Sequence, residues 1–203
     1  MGVTEWVLVA VAGLAVLAWV LWVQASRVDR LHRTVLRSRA TLEAQLFRRA
    51  SAALELAASG VLDPAQALVL TDVALRATDA APAALVPDRL EGRPAAGALG
   101  EEEEAGTVRV DRGLVESELS RTLRTVLGSP EDQAELAGDA RAAEVLTHLR
   151  QSWYRLQVAR RFHNAHVEQV RRIRARPVVR LFHLAGRAPL PEPFDMDDAL
   201  PTT

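Results

Sequence analysis

The chain has no cysteine and no lysine, and aromatic side chains make up only 4% of it. Without thiols it forms no disulfide, no thiolate zinc site and no cysteine nucleophile, which fits a reducing compartment. All 25 basic residues are arginine, against 26 acidic ones. The resulting net charge of −1 removes the global basic field expected of a nucleic-acid binder. With abundant alanine, this arginine bias reads as a GC-rich codon usage rather than as a set of bidentate ligand sites. So few rings mean that any core is built from Leu, Val and Ala. Catalytic signatures are also missing: there is no Walker-type loop, no G-x-S-x-G elbow and no H-E-x-x-H step. Nor is there a pair of carboxylates set in an apolar helix face, where desolvation would raise one pKa. No catalytic residue and no cofactor are therefore assigned, and the expectation is a protein that is not an enzyme.

What the chain does have is residues 6–23, WVLVAVAGLAVLAWVLWV, without a charged side chain. As a helix the run is about 27 Å long, close to the hydrocarbon thickness of a bilayer. Its large aliphatics at roughly −0.3 to −0.6 kcal/mol each favour insertion by about 3 to 6 kcal/mol. A secretory signal peptide would have a basic start and a shorter apolar core, whereas this one begins with Glu5 and no arginine. Trp6 at one end and Trp19 with Trp22 at the other are placed as interfacial anchors. Arg27, Arg30, Arg33, Arg37 and Arg39 follow directly, so the positive-inside rule puts residues 1–5 outside and everything from residue 24 on in the cytoplasm.

After the run, residues 25–58 contain no Gly or Pro and are dominated by helix formers. Val28, Leu31, Val35, Leu42, Leu46, Ala50, Ala53 and Ala57 recur at three- and four-residue steps, predicting one long amphipathic helix closed by Gly60. Asp63-Pro64 starts a second helix to about Thr78, with Ala67, Leu68, Leu70, Ala74 and Leu75 as its apolar side. Residues 79–106, rich in Pro and Gly and ending in the run Glu101 to Glu104, read as a disordered loop. A third helix spans residues 111–127, with Leu119, Leu123 and Val126 on one face and Glu116, Glu118, Arg121 and Arg124 opposite. Ser129-Pro130-Glu131 suggests a further helical turn. Asp139 then caps the longest helix of the soluble part, whose stripe is Ala142, Leu146, Leu149, Trp153, Leu156, Ala159, His163, Val167 and Val170. It ends before Pro177, a short segment follows at 178–184, and residues 189–203 form a Pro-rich acidic tail. The two long helices should pair as walls of one bundle.

Three constellations could carry chemistry or contacts. His163 and His166 are three apart on a helix, but no third ligand shares their face, so a half-buried histidine is the simpler reading and no metal is assigned. Arg160 and Asn164 sit beside the core stripe, opposite Gln45 if the long helices pair, which suggests an interhelical polar contact of Arg160 with Gln45 or Glu43. Arg27, Arg30, Arg33 and Arg37 with Arg171, Arg172, Arg174, Arg176 and Arg180 form two basic clusters. These meet at the membrane face if the walls are antiparallel, where each arginine contributes about 1 kcal/mol toward anionic lipid.

The stretches QLFRRASAALELA (residues 45–57) and VARRFHNAHVEQVRRI (158–173) resemble the two long helices of LemA-family membrane proteins. Those carry a Gln-Leu-x-Arg-Arg run on the first and an Ala-Arg-Arg-Phe-Tyr-Asn run on the last. Residues 176–198 resemble the family's closing segment. His163 stands where the family has tyrosine, Arg39 where it has tryptophan, and Ala50-Ser51-Ala52 replaces a tyrosine-rich turn. The resemblance implies an all-α protein: an N-terminal transmembrane helix followed by an up-and-down four-helix bundle with two long and two shorter helices. It implies no enzymatic activity. The expectation is a single-pass interaction or scaffold module at the cytoplasmic face of the cell membrane, with a membrane protein or a second copy as partner. A peripheral bundle that senses anionic lipid is the runner-up, and a metal-dependent hydrolase using His163 the third.

Overall fold

Nothing between Gln24 and Ala58 breaks a helix, and helix α1 (Val3–Ala58) accordingly runs 56 residues without interruption, about 84 Å at the usual rise. The computed structural model describes residues 2–88, 90, 110–128, 133–134, 138–186 and 188–200. Among them the chain is all-α, without a strand: α1 is followed by α2 (Pro64–Asp79), α3 (Arg112–Leu127), α4 (Ala140–Arg174) and the short α5 (Pro177–Leu181). The expected helical turn at residues 129–131 lies outside the described residues.

Aspartates start the helices as the sequence predicts. Asp63 accepts from the Ala65 amide at 2.9 Å, Asp111 from Leu114 at 3.2 Å and Asp139 from Arg141 at 3.4 Å, each satisfying an amide the first turn leaves without an intrahelical partner. Gly60 follows α1 with φ 76°, a left-handed turn that only glycine enters freely.

The predicted stripes are the core lines. Val28, Val35, Leu42, Leu46, Ala50, Ala53 and Ala57 of α1 are all buried, as are most of the predicted α4 positions. Val28 shares a cluster with Ile173, Val35 with Val167 and Val170, and Leu42 and Leu46 with Leu156. The two long helices therefore run antiparallel. Helix α2 also packs on α1, and α3 packs on α2. Arg112 at the start of α3 donates to the Ala81 and Ala83 carbonyls just past the end of α2, so these two are also antiparallel, and the bundle is up-and-down. Its distal half is a four-helix core around Leu56, Leu70, Leu123, Leu146 and Trp153.

Four expectations are corrected. Residues 79–106 are not disordered throughout: Leu85, Val86 and Asp88 are buried, with Leu85 and Val86 in the proximal core, while 91–106 lie outside the described residues. The acidic tail is not a tail either, because Phe194 and Met196 are buried in that same core. Glu116, expected on the solvent face of α3, is buried at 1% exposure. On α2 the buried line is Leu70, Val73, Ala74 and Ala77, leaving Leu68 and Leu75 in solvent.

Candidate functional site

Residues 6–23 form part of the one helix among those described that is long and apolar enough to cross a membrane, and none of that window is covered by the rest of the protein. This is compatible with a membrane anchor. Trp6, Trp19 and Trp22 stand exposed, the last two with ring centroids 5.7 Å apart. Five residues after the run, Val28 is buried. Around that junction the antiparallel pairing brings both arginine clusters together. Arg27, Arg30, Arg33 and Arg37 are exposed on α1, Arg171 and Arg172 on α4, and Arg176 just beyond its end. Asp29 pairs with Arg33, and Glu168 lies 3.9 Å from Arg172; both pairs are solvated and contribute little. Arg174 is half-buried, which lowers its pKa, and it donates to the Pro189 carbonyl at 2.7 Å.

Deeper in the body lie three buried arginines. Arg39 forms a two-pronged pair with Asp88, and Asp88 also accepts from the Leu90 and Glu192 amides, each at 3.1 Å. One carboxylate thus ties α1, the linker after α2 and the C-terminal segment together. Arg49 donates to Ser120 Oγ at 2.6 Å and to Glu116 Oε2 at 2.7 Å, with its guanidinium 5.7 Å from the Trp153 ring centroid. Desolvation lowers the Arg49 pKa, against the opposing charge of Glu116. Arg112 reaches the other Glu116 oxygen at 3.5 Å. Such networks fix which helices meet more than they add net stability, but removing one partner costs about 3–5 kcal/mol.

The expected polar contact between the long helices is replaced by another. Arg160 donates to Asp198 at 2.8 and 2.9 Å and to Asp195 at 3.5 Å, not to Gln45 or Glu43. Asn164 exchanges two bonds with the Phe194 backbone, at 3.0 and 2.9 Å. Gln45 lies apart, half-buried, its Oε1 without a hydrogen-bond partner. Trp153 Nε1 and Gln157 donate to the Asp198 carbonyl, while on α3 Ser117 accepts from the Asp197 amide and Arg124 pairs with Asp197. That bond to Arg124 is the main reason the Asp197 pKa is lowered. Residues 194–199 are therefore a strap held between α3 and α4.

His163 is fully buried, and its Nδ1 lies 3.0 Å from Ser38 Oγ. The Ser38 hydroxyl donates to the Val35 carbonyl at 2.8 Å, so the ring proton is assigned to Nδ1 and the buried Nε2 is left bare. Burial first, and the charge of Arg39 second, push its pKa down to about 4. Among the described residues no group of three or more metal-ligating side chains gathers. Outside this polar interior, Tyr154, Val158 and Phe162 of α4 face Thr34, Arg37, Thr41 and Gln45 of α1 across an open groove of about 450 Å³. Tyr154 and Phe162 are each 62% exposed.

Two of the buried arginines carry a signal in the sequence. Arg39 falls four residues after Val35 and three before Leu42, and Arg49 three after Leu46, both on the apolar stripe. Their partners Asp88 and Glu116 carry no comparable local signal. Geometry thus defines a class: a polar-pinned helical bundle carried on the extension of one apolar helix. No family model, no curated protein and no solved structure matches the chain.

Proposed function

We propose that the protein is a single-pass membrane protein whose helical body acts as a non-catalytic interaction or scaffold module at the cytoplasmic face. The observation that carries this is the abrupt change along α1 from an uncovered apolar run to a buried core stripe, with exposed arginines at the change. The positive-inside rule then orients the body toward the cytoplasm. Likeness to the LemA family supports the same reading, and Arg49, from its Gln-Leu-x-Arg-Arg run, has a structural role at the centre of the distal core. A partner surface is offered by the groove between α1 and α4, where aromatic side chains with arginine at the rim are the composition of an interaction hot spot. The test is crosslinking in intact membranes followed by detergent extraction and pull-down. A specific membrane protein or a second copy should co-purify, and should be lost with Phe162→Ala. Release of the full-length protein into the supernatant by carbonate, or digestion of its C-terminal part from outside whole cells, would overturn the reading.

The meeting of the two basic clusters favours a second reading, a body that responds to anionic lipid. In that case crosslinking would yield no protein partner, and removal of Arg171, Arg172 and Arg176 would change the body's contact with the bilayer without changing its anchoring.

A further inference from the structure

Helix α5 and the residue that follows it carry an apolar face that the described part of the protein leaves largely open. Val179 points into the body, sharing a cluster with Val28 and Ile173. Val178, Leu181 and Phe182, at i, i+3 and i+4, are 44%, 73% and 43% exposed. Where this face lies follows from the path of the chain. It leaves α4 at Ala175, level with Val28 through the Ile173 contact. It returns at Pro189, whose carbonyl lies 3.5 Å from His32 Nε2 and 2.7 Å from Arg174, one turn further from the apolar run. The excursion between them, turned back at His183 and Gly186 with φ 49° and 55°, therefore sits on the end of the body next to residue 23. Val28 is about 7.5 Å along the axis from Val23, within the thickness of a headgroup layer. Arg171, Arg172, Arg176 and Arg180 are exposed beside the apolar face.

We propose that the Val178, Leu181 and Phe182 face of α5 seats in the bilayer interface, with these arginines on anionic headgroups, as a second, non-spanning membrane contact beside α1. This inference rests on the anchored reading above. The occupant is lipid because the face continues the apolar run after less than two turns and is bordered by basic charge, the composition of an interfacial amphipathic segment. Two contacts on different elements prevent the body from rotating or tilting freely about its anchor.

The natural absence of cysteine makes the test direct. Full-length protein carrying Leu181→Cys or Phe182→Cys, labelled with an environment-sensitive fluorophore, is reconstituted into vesicles containing anionic phosphatidylglycerol and shallow nitroxide-labelled lipids. Leu68→Cys, equally apolar and 72% exposed on α2, is the distal control, and Trp19→Cys reports the span itself. The proposal expects quenching at 181 and 182 several-fold above that at 68, weakening when phosphatidylglycerol is replaced by phosphatidylcholine. Quenching at 19 but not at 181 or 182 would overturn the proposal and leave the anchor standing. Absence of quenching at 19 would overturn both. Quenching at 181 indifferent to lipid charge would remove the role given to the arginines.

Discussion

In the distal half of the body, four helices share one largely aliphatic core, while in the proximal half α1 and α4 pair and two non-helical segments, residues 80–88 and 190–198, supply much of the remaining cover. The halves satisfy their backbones differently. A helix pairs its own amides and carbonyls, so the backbones of the distal helices need no outside partner. Non-helical chain cannot do so throughout, and each proximal segment is met by side chains of the helices or of the other segment. Arg112 takes the Ala81 and Ala83 carbonyls, Asp88 the Glu192 amide, Asn164 both polar groups of Phe194, and Trp153 and Gln157 the Asp198 carbonyl. These bonds serve the backbone of the segments, whereas the buried polar group of the distal core, Arg49 with Glu116 and Ser120, joins helix to helix.

The comparison breaks hardest at the two carboxylates. Glu116→Ala leaves Arg49 and Arg112 buried without their anion, and Asp88→Ala does the same to Arg39, so each should cost about 3–5 kcal/mol in urea unfolding of the detergent-solubilised chain. The halves should differ in how they fail. By hydrogen exchange, Asp88→Ala should expose chiefly the 80–88 and 190–198 segments, and Glu116→Ala all four helices; identical exchange patterns would refute the division.

Acid should act through the proximal half. His163 is neutral when folded, with its pKa down at about 4, so below its ordinary value near 6.5 the unfolded chain binds the extra proton. Stability should fall as pH drops from about 6.5 to about 4, by roughly 3 kcal/mol in all. Arg39, Asp88 and His166 are the charged or titratable groups acting on it, and His163→Asn should flatten the slope. Below that range Asp197, whose pKa is lowered by Arg124, adds a further loss.

A smaller effect is expected at the strap. A Cβ at Gly113 would lie 2.4 Å from the Asp195 carbonyl oxygen, so Gly113→Ala should cost about 1–3 kcal/mol and raise exchange in residues 194–199 while sparing the distal core. Smallest is Arg160→Leu, about 1 kcal/mol, since its pair with Asp198 is partly solvated. A loss as large as that of Glu116→Ala would mean that the strap is integral to the whole bundle.

Helices were legible because period and capping coincide: Val35, Leu42 and Leu46 repeat at helical steps, and Asp63, Asp111 and Asp139 precede the helices they cap. The matched lengths of the two long helices implied that they pair but not in which direction, and the convergence of the arginine clusters depended on that direction. Residues 80–88 and the strap were not legible, since proline and aspartate signal solvent in any local window. Their burial depends on partners more than a hundred residues away in the case of Asp88 and Glu192. Arg160 and Asn164 sit beside the core as their spacing implies, but their partners lie on the strap and not at Gln45, for the same reason.

Between Gln24 and Ala58, α1 has neither glycine nor proline, so no hinge separates the lipid-compatible part from the body. The helix is a stiff lever. An inclination of about 10° in the first part would swing Ala58 sideways by roughly 9 Å, taking 1.5 Å of rise per residue. With the run in a bilayer, as proposed, a change in bilayer thickness that tips it would be converted into displacement of the far end of the molecule.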